Sequence, residues 1–311
     1  MRLIIDIVFP LFGVGIIGYL AARLGAFGEP AKRGLSLFVF NFATPALLFR
    51  SLVRADLPAQ MEWGLLLSYF LPGFLIFALA MGLVRWVFAR PSSDLGIVAM
   101  GACFGNTVLI GIPICLATFG EAAAVPLFLI LAFHGALFYP TVTAVTELGL
   151  ERGALGRLPW ITLKGLVGNP IIMSLLAGYL WNLWGPPLPT ALDALMELLG
   201  QAAIPCALFA TGASLSRYRI AGNIAESLAV IGLKLLVMPA LVWLLAAKVF
   251  TLPATWVAVA VIVAALPSGV NVYIFAERYG RAVATATTTV FLATVLSMIT
   301  LPILLVLLAP P

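Results

Sequence analysis

A chain of 311 residues that is 63% apolar and only 9% charged, with a mean hydropathy of +1.15, is too apolar for a water-soluble domain, where about a quarter of residues carry charge. Its solvent is lipid, and the composition points to a polytopic membrane protein. The net charge of +5 does not indicate a nucleic-acid partner, because the basic residues lie between apolar windows and follow the topology.

Windows of about 20 apolar residues, enough to cross a bilayer, recur at 3–22, 35–53, 64–88, 95–118, 122–146, 160–184, 194–215, 223–248, 254–277 and 283–308. They are predicted as spans 1 to 10 of an all-α integral membrane protein. Span 1 contains Asp6 and lacks a small-x-small cleavage site, so it is read as a helix and not as a signal peptide. Arg23, Lys32, Arg33, Arg85, Arg90, Arg152, Arg157, Lys164, Arg217, Arg219, Arg278 and Arg281 fall in the connections after odd-numbered spans. Only Arg2, Arg50, Arg54 and Lys248 fall on the other side, with Lys234 inside span 8. By the positive-inside rule the odd connections are cytoplasmic and both termini lie outside.

Cys103, Cys115 and Cys206 all fall within spans and form no CxxC or metal-type spacing, so neither a disulfide framework nor a metal is expected. Gly101 and Gly105 form a GxxxG without a Walker or dinucleotide pattern, which reads as close helix packing. With no HExxH or nucleophile elbow either, the chain is expected to be neither an enzyme nor the holder of a cofactor.

Shifting the sequence by 160 residues superposes Pro10 on Pro170, Gly18-Tyr19-Leu20 on Gly178-Tyr179-Leu180, Pro45 on Pro205, Phe49 on Phe209 and Gly120 on Gly280. Two repeats are read, 1–150 and 158–311. Each holds five spans, and an odd number forces the second repeat to enter from the opposite face. Inverted repeats of this kind are typical of alternating-access carriers.

The same shift lays residues 105–113, "GNTVLIGIP", on residues 265–273, "ALPSGVNVY". Pro113 and Pro267 lack the N–H a helix needs, while Gly105, Gly111 and Gly269 ease departure from helical dihedrals. Spans 4 and 9 are therefore predicted to break and to cross at the midplane, since unpaired backbone at that depth must be buried in protein or line a cavity. The half-helices after the breaks, from about 113 and 271 onward, would bring two positive N-terminal ends together. No Asp or Glu occurs in 95–120 or 254–276, so the site invites an anionic ligand. Asn106, Thr107, Ser268 and Asn271 are its candidate polar contacts, with satisfaction of the broken backbone as the alternative role.

Three other groups are singled out. Lys234 lies about 16 Å into span 8 at 1.5 Å per residue, where a lysine needs a partner or a wet cavity. It either attracts the substrate or donates to carbonyls freed at the crossing. His134, mid-span in span 5, is a candidate for proton coupling set against neutral packing. Glu277, at the end of span 9, is read as an interfacial charge with gating or coupling as a second role. Asn41 and Gln201, each four residues before a proline, are expected to repair the carbonyls that Pro45 and Pro205 release.

"FGNTVLIGIP" at 104–113, "GLKLLVMP" at 232–239 and "LPSGVNVYIFAERYG" at 266–280 resemble the auxin efflux carrier family, whose bacterial members include malonate transporters. The resemblance implies a carrier of small organic anions in a bacterial inner membrane. It also implies a homodimer, a scaffold of spans 1, 2, 6 and 7, and a binding site where spans 4 and 9 cross. It does not specify a proton or a sodium ion as the coupling ion. Competing readings are a sodium symporter of the bile-acid type, which the missing carboxylate disfavours, a cation/proton antiporter, which would need paired acids, and a sensor or channel with the same fold.

Overall fold

The computed structural model describes residues 9–57, 62–150, 163, 167–216 and 220–308. Arg2 and Asp6 at the start of span 1, most of the link between the repeats with Arg152 and Arg157, and Lys164, Arg217 and Arg219 lie outside the described residues. The elements in chain order are α1 (Phe9–Arg23), α2 (Glu29–Arg54), α3 (Trp63–Trp86), α4 (Ser92–Cys103), a wide turn Thr107–Gly111 leading into α5 (Ile112–Phe119), α6 (Ala124–Gly149) and α7 (Pro170–Trp184). They continue with α8 (Thr190–Leu215), α9 (Ile224–Val249), α10 (Ala254–Ala265), α11 (Val270–Tyr279) and α12 (Val283–Leu308). Among the described residues six runs, Glu29–Arg54, Trp63–Trp86, Thr107–Gly149, Thr190–Leu215, Ile224–Val249 and Val283–Leu308, are long and apolar enough to cross a membrane. The shorter apolar helices are α1, α4, α7 and α10. Among the described residues the extended pairing is confined to one isolated antiparallel bridge, Gly105 with Ser268.

Prolines shape these helices less abruptly than expected. Pro72, Pro140 and Pro302 lie inside α3, α6 and α12. Three others follow π-turns: Val39–Ala43 before Pro45, Thr107–Gly111 before Pro113, and Leu233–Val237 before Pro239. In a π-turn each carbonyl bonds the N–H five residues on, as Thr44 N–H does to Val39 O and Met238 N–H to Leu233 O. Widening the turn moves the bonding pattern past the ring that carries no N–H. The Asn41 side chain, expected to repair the carbonyl that Pro45 releases, is exposed.

The chain forms two compact units. One comprises Met1–Met61, Val108–Ala132 and Lys164–Arg217, the other Glu62–Thr107, Phe133–Leu163 and Tyr218–Pro311. Each draws on both halves of the sequence, so the compact units are not coextensive with the sequence repeats. The first holds spans 1, 2, 6 and 7 together with 108–132, a segment of spans 4 and 5 that the resemblance assigns elsewhere.

In the first unit small residues let helix backbones touch, the usual means of helix association in lipid. A Cβ on Gly18 of α1 would lie 2.2 Å from the Phe209 carbonyl oxygen, and one on Gly212 of α8 would lie 1.8 Å from that of Gly15. Gly178 of α7 meets the Phe49 carbonyl of α2 in the same way, at 2.8 Å. The pairs Gly18 with Phe209 and Gly178 with Phe49 exchange under the 160-residue shift. Asn182 Nδ2 caps the end of α2 by donating to the carbonyls of Leu52 (2.9 Å), Val53 (3.0 Å) and Ala55 (2.9 Å). Arg50 and Arg54 pair with Asp193 at 2.9 and 2.6 Å, and Arg50 reaches Glu197 at 3.1 Å, so these acids are partnered across helices and are more than interfacial charges.

The second unit contains both interruptions. Gly101 of α4 packs against Val230 of α9 and Thr289 of α12, each about 3.3 Å from an added Cβ, which is the close packing its GxxxG predicts.

Candidate functional site: the crossing of two interrupted helices

The first interruption occupies Phe104 to Asn106, between α4 and the turn at Thr107, and the second occupies Leu266 to Gly269, between α10 and α11. The second contains Pro267, as predicted. The first contains no proline: Pro113 sits in the opening turn of α5 and Gly111 ends the π-turn before it, so both belong to the helix beyond the break. The half-helices after the breaks accordingly start at Thr107 and Val270, earlier than 113 and 271.

The two breaks satisfy each other. Asn106 N–H donates to the Pro267 carbonyl and Gly269 N–H donates to the Phe104 carbonyl, both at 2.9 Å. These bonds flank the Gly105–Ser268 bridge. Backbone groups that would cost several kcal/mol each, roughly, if left bare at bilayer depth are thus paired with each other. Gly105 is closely packed, since a Cβ there would lie 3.3 Å from Leu266 Cβ and 3.4 Å from both the Val263 oxygen and Lys234 Nζ.

Two side chains complete the accounting. Ser268 is fully buried and donates to the Gly101 carbonyl at 2.6 Å. A hydroxyl has one proton, so Ser268 has none left for an anion in this arrangement. Lys234, also fully buried, donates to the Ala264 carbonyl at 2.6 Å and lies 3.6 Å from Met238 Sδ. Of its two expected roles, donation to a carbonyl freed at the crossing is the one present, and it holds Nζ beside Gly105.

Asn106 and Thr107 are buried, at 8% and 5% exposure, and Asn271 is half-buried in the first turn of α11. All three flank the bridged segment. First-turn N–H groups have no partner within their own helix, so Val270 and Asn271 add main-chain donors to the amide side chains. His134 is buried against Phe104, ring centroids 4.3 Å apart, with Nδ1 3.3 Å from Tyr69 Oη and, among the described residues, no hydrogen-bond partner on Nε2. Glu277 is exposed at the end of α11, where it accepts from Tyr273 Oη, away from the bridged segment.

One cluster in this unit escapes a sequence reading based on topology. Glu226, fully buried in the first turn of α9, accepts from Arg90 Nε at 2.8 Å and Nη2 at 2.6 Å. Arg281 Nε donates to Asp94 in the first turn of α4 at 2.8 Å, and Thr285 of α12 bridges Arg90 and Glu226 at 2.6 and 3.1 Å. The Glu226 hydrogen bonds hold the Arg90 guanidinium above its ordinary pKa. The available signal is an acid in the first turn of two helices, Asp94 and Glu226, with arginines in connections that the topology reads only as orientation charges.

Apolar helices on this scale, with interruptions paired backbone to backbone, define an integral membrane protein. A profile described as "Membrane transport protein" matches residues 3–149 and 157–305, and the chain belongs to that family, the one to which the auxin efflux carrier resemblance points. The "Putative malonate transporter" of Rhizobium meliloti is 30% identical over 96% of this chain and 94% of its own length. "Auxin efflux carrier component 8" of Arabidopsis thaliana is 27% identical over 87% and 88%. The "Uncharacterized transporter YfdV" of Escherichia coli is 24% identical over 94% of each chain.

Proposed function

We propose that the chain is a secondary active carrier of small organic anions, mono- or dicarboxylates, which works by alternating access in ten spans arranged as two inverted repeats. The observation that carries this reading is a crossing of positive character without a carboxylate. Two half-helices start beside the Gly105–Ser268 bridge, each N-terminus worth roughly half a positive charge. Lys234 lies against the same segment, and 95–119 and 254–276 contain no Asp or Glu. The anion is held by the amides of Asn106 and Asn271, the Thr107 hydroxyl and the first N–H groups of α11. Ser268 and Lys234 shape the site from behind. The relatives named for malonate and auxin transport support a carboxylate substrate.

Coupling to a proton through His134 or to sodium through the oxygens of the crossing, a gating role for Glu277, a homodimer, and an inner-membrane location with both termini outside belong to the same proposal. The test is thermal stabilisation of the detergent-purified protein by mono- and dicarboxylates, with and without sodium, repeated on Asn106→Ala. Carboxylates are expected to raise the wild-type Tm and to lose most of that effect in the variant. Stabilisation by amines or metal cations and by no carboxylate refutes the anion reading, and equal stabilisation of both proteins removes Asn106 from the site.

A further inference from the structure

A concave site of different chemistry lies outside the residues of the crossing. In the second unit, the later halves of α9 and α12 and the middle of α10 enclose an apolar groove of about 480 Å³, within the range of about 300–1,000 Å³ typical of ligand sites. Leu235, Ala240, Trp243, Val261, Ile303 and Leu307 line it. Ile303 and Leu307 are 56% and 72% exposed, so the groove opens outward, where the surroundings of an integral membrane protein are acyl chains.

The ends of the groove differ. From Leu235 to Trp243 it follows α9 for about 12 Å at 1.5 Å per residue, close to the roughly 15 Å of hydrocarbon in one leaflet. Five residues beyond, Lys248 sits on the last turn of α9, its Nζ 5.6 Å over the Trp243 ring. Lys248 is exposed and has no ion pair among the described residues. A tryptophan and a lysine at a helix end mark the headgroup level. The groove thus has the depth of one acyl chain and ends at an exposed cation at the height of a lipid phosphate.

We infer that this groove binds one anionic phospholipid, with an acyl chain along Leu235–Trp243 and the phosphate on Lys248. The site is independent of the carrier reading, since no residue of the crossing lines it. The test uses wild type, Lys248→Gln and Ala240→Phe in zwitterionic nanodiscs or delipidating detergent, titrated with palmitoyl-oleoyl phosphatidylglycerol or phosphatidylcholine and read by native mass spectrometry and Tm. Ala240 is exposed on the groove wall, so phenylalanine there fills the groove without entering the core. Phosphatidylglycerol is expected to remain bound to wild type and to raise its Tm more than phosphatidylcholine does. Lys248→Gln should weaken it about fivefold, the equivalent of about 1 kcal/mol for one basic residue at an anionic lipid surface. Ala240→Phe should displace it although Lys248 is intact. Equal retention of both lipids by wild type and Lys248→Gln overturns the phosphate contact, and unchanged binding to Ala240→Phe overturns the groove as its seat. Cross-linking between copies through a cysteine at Leu307 in the lipid-free protein, abolished by Ala240→Phe, would make a second copy the occupant and refute the lipid site.

Discussion

Replacing Glu226 by alanine removes a fully buried carboxylate and with it both hydrogen bonds from Arg90, at 2.8 and 2.6 Å, and the Thr285 bond at 3.1 Å. Breaking a buried ion pair from one side costs about 3–5 kcal/mol, because the remaining charge stays desolvated. Arg90 keeps 26% of its side-chain exposure and a second, weaker partner in Asp94 at 3.5 Å, which places the loss near the lower end, about 3 kcal/mol. At about 2 °C per kcal/mol for a chain of this size, the Tm falls by about 6 °C. Glu226→Gln retains the shape and one accepting oxygen, and since charge-assisted bonds are roughly twice as strong as neutral ones it loses about half as much. The assay is tryptophan-fluorescence melting in detergent, completed by Arg90→Ala and the double variant. A coupling of at least about 1 kcal/mol between the two sites is expected. A Glu226→Ala protein melting within about 1 °C of wild type, with additive effects in the double variant, would refute the reasoning.

Gly212→Ala drives a Cβ to within 1.8 Å of the Gly15 carbonyl oxygen and should cost about 1–3 kcal/mol or more as α1 and α8 separate. Gly232→Ala, where an added Cβ meets nothing within 4 Å, should gain up to about 1 kcal/mol from helix propensity; melting curves with the same sign for both would contradict the packing described. Asn182→Ala deprives the Leu52, Val53 and Ala55 carbonyls of their side-chain donor and should lower stability by about 1–3 kcal/mol, with faster hydrogen exchange localised at the end of α2. Ser268→Ala strands the buried Gly101 carbonyl and should cost about 1–3 kcal/mol of stability while leaving carboxylate affinity within about twofold. A selective loss of affinity at unchanged Tm would instead make Ser268 a ligand.

Much of the helical layout was legible because hydrocarbon imposes a length on every apolar window. The interruption at 266–269 was legible because Pro267 and Gly269 advertise it. The one at 104–106 lies several residues before Pro113, the local breaker that the sequence displays. The cost of a proline lies chiefly in its missing N–H, and a π-turn removes the need for that donor, as it does before Pro45, Pro113 and Pro239. The work of Lys234 depends on a carbonyl 30 residues away, and the Arg90–Glu226 and Arg281–Asp94 pairs join residues 136 and 187 positions apart. No local pattern encodes such partners. Charges in the connections therefore read as orientation signals when they are also the fastenings of α4, α9 and α12.

The Gly105–Ser268 bridge and its two flanking amide bonds are made by main chain alone. The outline of the crossing is therefore insulated from the identity of the side chains that surround it, apart from Gly105, Ser268 and Lys234. In the proposed carrier, positions 106, 107 and 271 would form a writable face on that frame, where exchanging an amide for a hydroxyl or a larger group is expected to change which acid fits without dissolving the junction. If the proposed site is right, a library randomised at those three positions should yield variants with altered carboxylate selectivity and an unchanged Tm.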